Sequence, residues 1–182
     1  MVLILLDRDG VINHDRVDYV KSVDEFHLID GAADAIAAMN RLGWKIAVVT
    51  NQSCVGKGII SESQLHIIHD DMMQQLRKYD AHIDRIYFAP DHPDRATPRR
   101  KPGPGMMIEA MRDFNMPPER SFLIGDALRD LTAAMAAGCH RCLVRTGRGA
   151  ELAASGLPES VMPVKIIDHL SESIDWVKTI AT

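Results

Sequence analysis

Two aspartates, Asp7 and Asp9, stand two positions apart directly after the apolar run 2–6. Side chains alternate between the faces of a strand, so both carboxylates would point to one side where this strand ends. Gly10 then permits a sharp exit of the chain. One carboxylate can attack an electrophile while the other moves protons. Because like charges this close disfavour joint ionisation, we expect a divalent cation with oxygen ligands, namely Mg²⁺.

Three more polar clusters lie farther along the chain. They are Thr50-Asn51-Gln52-Ser53 after the strand-like segment 45–49, Arg100-Lys101 before a proline, and Gly125-Asp126 with Asp130 after the strand-like segment 121–124. Taken alone, each has a simple structural interpretation: a turn at Thr50, a solvated loop charge at Lys101 and a helix N-cap at Asp126. Their order and shared place at strand ends instead favour one joint site.

Strand-like and helix-like segments alternate along the chain. We expect strands at 2–6, 45–49, 83–88, 121–124 and 140–144, and helices at 32–42, 62–79, 105–114 and 128–137. The tail after residue 149 adds a candidate edge strand at 164–167 and a helix at 169–180, without recognisable chemistry. This alternation predicts an α/β fold, a Rossmann-like parallel sheet with helices on both faces. Such sheets bind ligands at the carboxyl ends of their strands, where the polar clusters fall.

Composition bounds the class of protein. A chain of 182 residues with 46% hydrophobic residues can bury a good core, and we expect one domain over residues 1–182. The net charge of −4 offers no attraction to nucleic acid. The first apolar run is too short to span a membrane and lacks a basic leader, so it predicts a core strand in a cytoplasmic protein without membrane contact.

The three cysteines, Cys54, Cys139 and Cys142, do not make a disulfide framework, which favours a reducing compartment. Cys139 and Cys142 have C-x-x-C spacing. The motif runs from the end of a predicted helix into a predicted buried strand, however, and the chain lacks a second ligand pair. A metal role for them is therefore disfavoured.

Together the clusters resemble the four motifs of the haloacid dehalogenase superfamily of phosphohydrolases, and the resemblance covers about residues 1–148. In order, the motifs are Asp7-Arg8-Asp9-Gly10, Thr50-Asn51, Lys101 and Gly125-Asp126 with Asp130. Segments 6–13, 50–53, 100–106 and 144–147 look like the group of heptose bisphosphate and histidinol phosphatases. The resemblance implies a magnesium-dependent phosphomonoesterase whose partner is a small phosphorylated sugar or metabolite. The expected reaction removes the 7-phosphate of D-glycero-D-manno-heptose 1,7-bisphosphate, with histidinol phosphate as the alternative substrate.

Chemistry and resemblance together suggest roles for the acidic residues. Asp7 would be the nucleophile that forms an aspartyl-phosphate, because a carboxylate is ionised at neutral pH and needs no activating base. Asp9 would protonate the leaving alkoxide and then deprotonate the attacking water. The resemblance implies that Asp7, the backbone carbonyl of Asp9 and Asp126 hold Mg²⁺. Asp130 would support the metal through water or orient Lys101.

The remaining candidates would bind substrate. Lys101 would neutralise charge on the transferred phosphoryl group, which Thr50 and Asn51 would grip. Segment 52–58, beginning with Gln52 and Ser53, resembles a phosphate-cradling loop, although it lacks the spacing of a nucleotide-binding P-loop. Two further groups would reach the sugar from opposite sides: Asp15, Arg16, Asp18 and Tyr19 from one, and Arg100 from the other.

Spacing leaves no room for a large cap domain, because only about 40 residues separate Asp9 from Thr50 and about 50 separate Thr50 from Lys101. The chain also departs from the resembling group in two respects. Many members carry a structural zinc on the loop before Lys101, but the corresponding positions here are Ala89, Asp91, Thr97 and Arg99. None is a thiolate or imidazole, so we expect no structural Zn²⁺ and a loop held by its prolines.

The second departure is Ala127, where a lysine often follows the fourth-motif aspartate in heptose enzymes. It weakens the case for a substrate with a distal phosphate. A catalytically silent binding module on the same scaffold is the alternative of another class, and the intact acidic set argues against it. The sequence does not specify an oligomeric state.

Overall fold

Six parallel strands form one sheet in the computed structural model, which describes residues 1–181, and their order is β3-β2-β1-β4-β5-β6. The strands are β1 Leu3–Leu6, β2 Lys45–Asn51, β3 Arg85–Ala89, β4 Ser121–Gly125, β5 His140–Val144 and β6 Lys165–Ile167. The helices are α1 Ala32–Arg41, α2 Ser53–Gly56, α3 Glu62–Arg77, α4 Gly105–Asp113, α5 Leu128–Ala137, α6 Gly149–Ser155 and α7 Ser173–Ala181. The predicted α/β class is confirmed.

The sheet is buried on both faces, which explains why its central strands are continuous apolar runs instead of alternating patterns. Along β1, Ile4 and Leu6 enter one core and Leu3 and Leu5 enter the other. The first core includes buried residues of α1, α3 and α7, and the second includes those of α4 and α5. The prediction of helices on both faces is therefore confirmed.

The strand order places β1 between β2 and β4. In the register, Leu6 pairs with Val48 on one side and with Ile124 on the other. The chain runs outward from β1 to β3, and β4 then returns to the opposite side of β1. A ligand crevice is expected at the carboxyl ends of strands where the direction of winding reverses in this way.

Helix boundaries follow the expected local signals. Ser61 caps α3, since its side-chain oxygen accepts a hydrogen bond from the Gln64 N–H at 3.1 Å. Gly43, with φ of +74°, follows the end of α1. One face of α3 is apolar and packs into the core: Leu65, Ile68, Met72 and Leu76 are buried, and Met73 packs at the margin of this face.

Two short helices, α2 and α6, were not predicted, and α7 begins at Ser173, four residues later than expected. A 3₁₀ turn over Leu170–Glu172 precedes α7. Helices of one or two turns give no apolar periodicity long enough to detect, so the sequence could not signal them.

The loops where a cap would be inserted contain only 3₁₀ turns within residues 1–181, at Val23–Glu25 and Pro93–Arg95. The site is therefore not covered by a cap domain in this part of the chain, as predicted. Cys139 and Cys142 lie in opposite cores, so they cannot share a metal ion. Over the described residues, every helix is too short or too polar to cross a bilayer.

Candidate active site

The carboxyl ends of the three central strands bring the predicted motifs together. Asp7 follows β1, Asn51 ends β2, and Asp126 follows β4. Gly10 has φ of +85°, and a Cβ atom there would lie 2.1 Å from Asp126 Oδ2. A Cβ at Gly147 would lie 2.2 Å from the same oxygen. The turn after β1 and the segment after β5 can thus close around the Asp126 carboxylate only because both positions are glycines.

Asp7, Asp126 and Asp130 form a buried acidic cluster in which one oxygen from each residue lies within 4.8 Å of the others. Burial raises the pKa of Asp7 and of Asp126, and the negative charge of Asp130 adds to both increases. Asp126 Oδ1 is buried without a hydrogen-bond partner among residues 1–181. Carboxylate oxygens with this geometry suit a hard divalent cation such as Mg²⁺, which would relieve the repulsion and occupy the orphaned oxygen.

Lys101 supplies the positive charge of the cluster. Its buried ammonium Nζ lies 3.0 Å from Asp7 Oδ1 and 2.6 Å from Asp130 Oδ1, and it donates a hydrogen bond to the Val49 carbonyl at 2.8 Å. Although burial favours the neutral amine, the charges of Asp130 and Asp7 outweigh it and raise the pKa of Lys101. Lys101 is therefore charged and aimed at Asp7, and Asp130 orients it directly.

Asp9 shares the cavity with Asp7, but its carboxylate is already well bonded. It accepts hydrogen bonds from Arg8 Nη2 at 2.9 and 3.0 Å, from Asn13 Nδ2 at 2.9 Å and from Gln52 Nε2 at 2.8 Å. Burial alone would raise the pKa of Asp9. The Arg8 charge and these hydrogen bonds outweigh burial, so the pKa lies below its ordinary value.

The cavity above the acidic cluster has a volume of about 240 Å³. Among the predicted substrate-binding residues, it is lined by Asp15, Arg16, Tyr19, Asn51, Gln52, Ser53 and Arg100. Asp18 is a correction: it does not line the cavity, because its exposed carboxylate pairs with Lys21 and Arg16 on the surface. Adjacent residues of an irregular loop point in different directions, and spacing alone does not reveal which of them face inward.

Two β2 residues are placed differently from the expected phosphate contacts. Thr50 is buried, and its hydroxyl accepts a hydrogen bond from Gln52 Nε2 at 3.0 Å instead of lining the cavity. The side-chain amide of Asn51 donates a hydrogen bond to the Lys101 carbonyl and accepts one from the Lys101 N–H. A direct grip on phosphoryl oxygens by Thr50 and Asn51 stays a prediction.

The glycines of segment 52–58 do not form the expected phosphate cradle, whereas phosphate binding by Gln52 and Ser53, which line the cavity, stays a prediction. Residues Ser53–Gly56 form the helix α2, and the amides that follow are used within the protein. Gly56 N–H donates to the Pro90 carbonyl at 2.9 Å, and Gly58 N–H donates to the Val55 carbonyl at 2.9 Å. Glycine here serves close packing, since a Cβ at Gly56 would meet the Pro90 carbonyl oxygen at 2.4 Å.

Three arginines were missed as site residues: Arg129 and Arg148, which line the cavity, and Arg8, whose buried side chain pairs with Asp9. Arg129 stands between Asp126 and Asp130 in the sequence, which was a usable signal. Its pKa is raised because the surrounding carboxylates, led by Asp130, outweigh burial. The backbone N–H of Arg148 donates to Asp126 Oδ2 at 2.9 Å, and its side chain pairs with Asp15 at 3.3 Å.

The loop before Lys101 is closed by side-chain hydrogen bonds. Asp91 Oδ2 accepts hydrogen bonds from both the backbone N–H and the hydroxyl of Thr97, each at 2.6 Å. These are two of the positions that would carry zinc ligands in the resembling phosphatases. The expected role of the prolines in holding this loop is thus shared with an Asp91–Thr97 bridge.

Comparison with known proteins gives consistent matches. A family model described as HAD-hydrolase-like matches residues 98–173. The D-glycero-beta-D-manno-heptose-1,7-bisphosphate 7-phosphatase of Bordetella bronchiseptica is 38% identical over 175 residues, which cover 96% of this chain and 98% of the relative. The enzyme of that name from Neisseria meningitidis serogroup A is 42% identical over 149 residues, covering 82% of this chain and 80% of the relative.

A solved structure matches over nearly the whole chain. The crystal structure of the B. bronchiseptica D,D-heptose 1,7-bisphosphate phosphatase, complexed with magnesium and phosphate, superposes with a TM-score of 0.92 at 37% identity. The match covers 98% of this chain and 99% of that one.

Proposed function

This chain belongs to the haloacid dehalogenase-like hydrolases, in the group of the heptose bisphosphate phosphatases, and we propose that it removes the 7-phosphate of D-glycero-D-manno-heptose 1,7-bisphosphate. The reaction is a magnesium-dependent phosphomonoester hydrolysis through an aspartyl-phosphate. One observation carries the proposal: Asp7, Asp126 and Asp130 form a buried cluster of carboxylates beside an open cavity, and the Lys101 ammonium lies against Asp7 and Asp130. Burial of charged groups lowers the free energy of unfolding, and a protein that only binds a ligand would not need to bury these four.

Asp7 is positioned as the nucleophile. Its Oδ1 accepts a hydrogen bond from the Arg8 N–H at 2.7 Å and contacts Lys101 Nζ at 3.0 Å, and these two contacts fix the carboxylate at the end of β1. A carboxylate oxygen of Asp7 attacks phosphorus in line, and the bond from phosphorus to the sugar oxygen breaks. Lys101 stabilises the negative charge that collects on the phosphoryl oxygens.

Asp9 handles the protons. Because its pKa is lowered, Asp9 is a carboxylate between turnovers and must first take up a proton from solvent, which it then gives to the departing sugar alkoxide. It later removes a proton from the water that attacks the aspartyl-phosphate, and this step releases inorganic phosphate and regenerates Asp7. Asp7 and Asp126, with the backbone carbonyl of Asp9, would hold Mg²⁺. When bound, this ion would neutralise phosphoryl charge and offset the repulsion between the carboxylates.

The cavity wall supports a substrate with a second phosphate. Arg100, Arg129 and Arg148 come from three separate segments and line the same space. Burial and the nearby Arg129 charge lower the pKa of Arg100, which means that positive groups lie close together there. An anion bound among them would relieve this repulsion. We propose that these arginines bind the distal phosphate and so compensate for Ala127.

The test is phosphate release from a panel of heptose bisphosphate, hexose phosphates and histidinol phosphate, with and without Mg²⁺. We expect magnesium-dependent turnover that favours the heptose bisphosphate and disappears in Asp7→Asn. Asp175→Asn, which removes a carboxylate that is 92% exposed, is the matched control and should keep full activity. A hundredfold preference for histidinol phosphate would show that histidinol phosphate, and not the heptose bisphosphate, is the substrate. Failure to release phosphate from any ester in the presence of Mg²⁺ would overturn the enzymatic proposal.

A further inference from the structure

Arg8 follows the nucleophile directly, yet its side chain is completely buried. The guanidinium lies between Asp9 and α3. Nη2 donates to both carboxylate oxygens of Asp9 at 2.9 and 3.0 Å, and Nε donates to Oδ1 at 3.3 Å. A buried cation is tolerated only when it is paired and its donors are satisfied, so the remaining side of the guanidinium also needs a partner.

That partner is His69, a buried residue of α3. Arg8 Nη1 lies 3.2 Å from His69 Nε2. An arginine has donors and no acceptor, so the ring nitrogen must accept, and the imidazole must be neutral with its proton on Nδ1. Phe88 lies edge-on to the imidazole, with ring centroids 6.0 Å apart.

We propose that His69 and Arg8 are positioning residues, which hold the Asp9 carboxylate in the orientation from which it exchanges protons with the leaving group and with water. This inference rests on the proposed phosphatase function. The other donors to Asp9, Asn13 and Gln52, are neutral amides on its remaining sides. Only the Arg8 guanidinium donates hydrogen bonds to both carboxylate oxygens of Asp9, and such a bidentate contact fixes the plane of the carboxylate as well as its position. His69, which lies on the helix α3, in turn holds the Arg8 guanidinium in place.

The chemistry offers a readout that a merely structural role would not change. A sugar alkoxide leaves only with a proton, so its departure depends on Asp9, whereas a nitrophenolate is stable as an anion and leaves without one. The value of kcat/KM reports the steps up to formation of the aspartyl-phosphate. Misorienting Asp9 therefore lowers kcat/KM for a sugar phosphate much more than for 2,4-dinitrophenyl phosphate. General damage to Asp7, Lys101 or the metal site lowers both.

The variants differ in whether they offer an acceptor at the position of Nε2. His69→Phe removes it, His69→Gln replaces it with an amide oxygen of similar reach, and His69→Asn carries an amide that is one bond too short. His66→Phe is the matched control, because His66 lies on the same helix against the same Phe88 ring, with centroids 5.6 Å apart, and is 57% exposed. Thermal unfolding of each variant monitors the fold.

With Mg²⁺ present, we expect His69→Phe and His69→Asn to lower kcat/KM for the sugar phosphate about 10- to 100-fold and for the aryl phosphate less than about 3-fold. His69→Gln should recover most of the loss, and His66→Phe should match the wild type. If His69→Phe does not fold, the comparison of His69→Asn with His69→Gln decides. Equal loss on both substrates, or no loss on either, overturns the inference. A wild type without magnesium-dependent activity would instead overturn the proposed function.

Discussion

Asn51 bridges β2 to the main chain of Lys101 with two hydrogen bonds: its Nδ2 donates to the Lys101 carbonyl at 2.8 Å, and its Oδ1 accepts from the Lys101 N–H at 3.0 Å. A residue at the end of a rigid strand thereby sets the position of a lysine that arrives on a loop. The placement of the ammonium beside Asp7 thus depends on an amide that stands 50 residues earlier in the chain.

Replacing this amide should reduce turnover. We predict that Asn51→Ala lowers kcat about 100-fold, because a displacement of the ammonium by about 1 Å weakens its contact with the phosphoryl group. Asn40→Ala is the matched control, since Asn40 makes the same two bonds to the main chain of His82, at 3.1 and 2.9 Å, just before the amino ends of β2 and β3 and thus at the opposite edge of the sheet from the site. Steady-state kinetics and thermal unfolding of both variants check this. Similar activity loss in both would contradict a specific role for Asn51.

Magnesium should stabilise the fold through Asp126. We expect the unfolding temperature of the wild type to rise on addition of Mg²⁺, by the equivalent of about 2.7 kcal/mol at 100 times Kd. In Asp126→Asn, this increase should disappear, while the metal-free protein should be at least as stable as the wild type because a repelling charge is gone. Differential scanning fluorimetry with and without EDTA measures both effects. An undiminished magnesium shift in Asp126→Asn would refute the assignment of this ligand.

Arg148 should matter for the second phosphate. We predict that Arg148→Ala raises KM for the heptose bisphosphate about 10-fold or more, since a charge-assisted hydrogen bond contributes about 1.5–3 kcal/mol. KM for a sugar monophosphate should change little. Arg145→Ala is the control from the same segment, because Arg145 pairs with Asp168 at the surface. An equal increase in KM for both substrates in Arg148→Ala would show that Arg148 does not bind the distal phosphate.

The Asp91–Thr97 bridge should stabilise the loop without zinc. Asp91→Ala should lower the free energy of unfolding by about 1–2 kcal/mol, because two donors of Thr97 lose their acceptor. Asp94→Ala, which removes a carboxylate that is 87% exposed on the same loop, should be neutral. Urea denaturation compares the two variants, and elemental analysis of the purified wild type tests for zinc. Stoichiometric zinc in that analysis would show that this account of the loop is wrong.

His69 should make stability depend on pH. Burial and the Arg8 charge lower its pKa from 6.5 to about 3 in the folded state. Below about pH 6.5 the unfolded chain therefore binds a proton at His69, whereas the folded protein does not. The free energy of unfolding has its full value above pH 6.5 and decreases as the pH falls towards 3. We predict that the wild type loses about 2 kcal/mol more than His69→Gln between pH 7 and pH 5. Urea titrations at the two pH values measure this, and parallel pH profiles would argue against a neutral buried imidazole.

Much of the fold could be predicted because its signals are local. Residues close together in the sequence indicate each of these elements. Examples are the apolar run of β1, the N-cap and apolar face of α3, and the glycine that follows α1. The convergence of Asp7 and Asp126 then followed from the rule that parallel strands end at one edge. The helices α2 and α6 are too short to produce such signals.

The rest of the site depends on side-chain direction, which residue spacing does not determine. Arg16 lines the cavity whereas Asp18, two residues later, pairs at the surface. Arg129 resembles an ordinary solvated residue of a first helical turn until the three-dimensional structure places it among carboxylates. Asn51 could be identified as a polar strand-end residue, but its partner on a distant loop could not.

The opposite placement of Cys139 and Cys142 provides the protein with a natural pair of unfolding probes. Each thiol is buried in a different helical layer, and burial raises the pKa of both to about 12. A thiol-reactive dye can therefore reach each sulfur only after its own layer has separated from the sheet. Because Cys54 is also a free thiol, the labelling of Cys139 and Cys142 is followed site by site by peptide mass mapping, and the ratio of their two rates distinguishes simultaneous opening of both layers from opening in sequence.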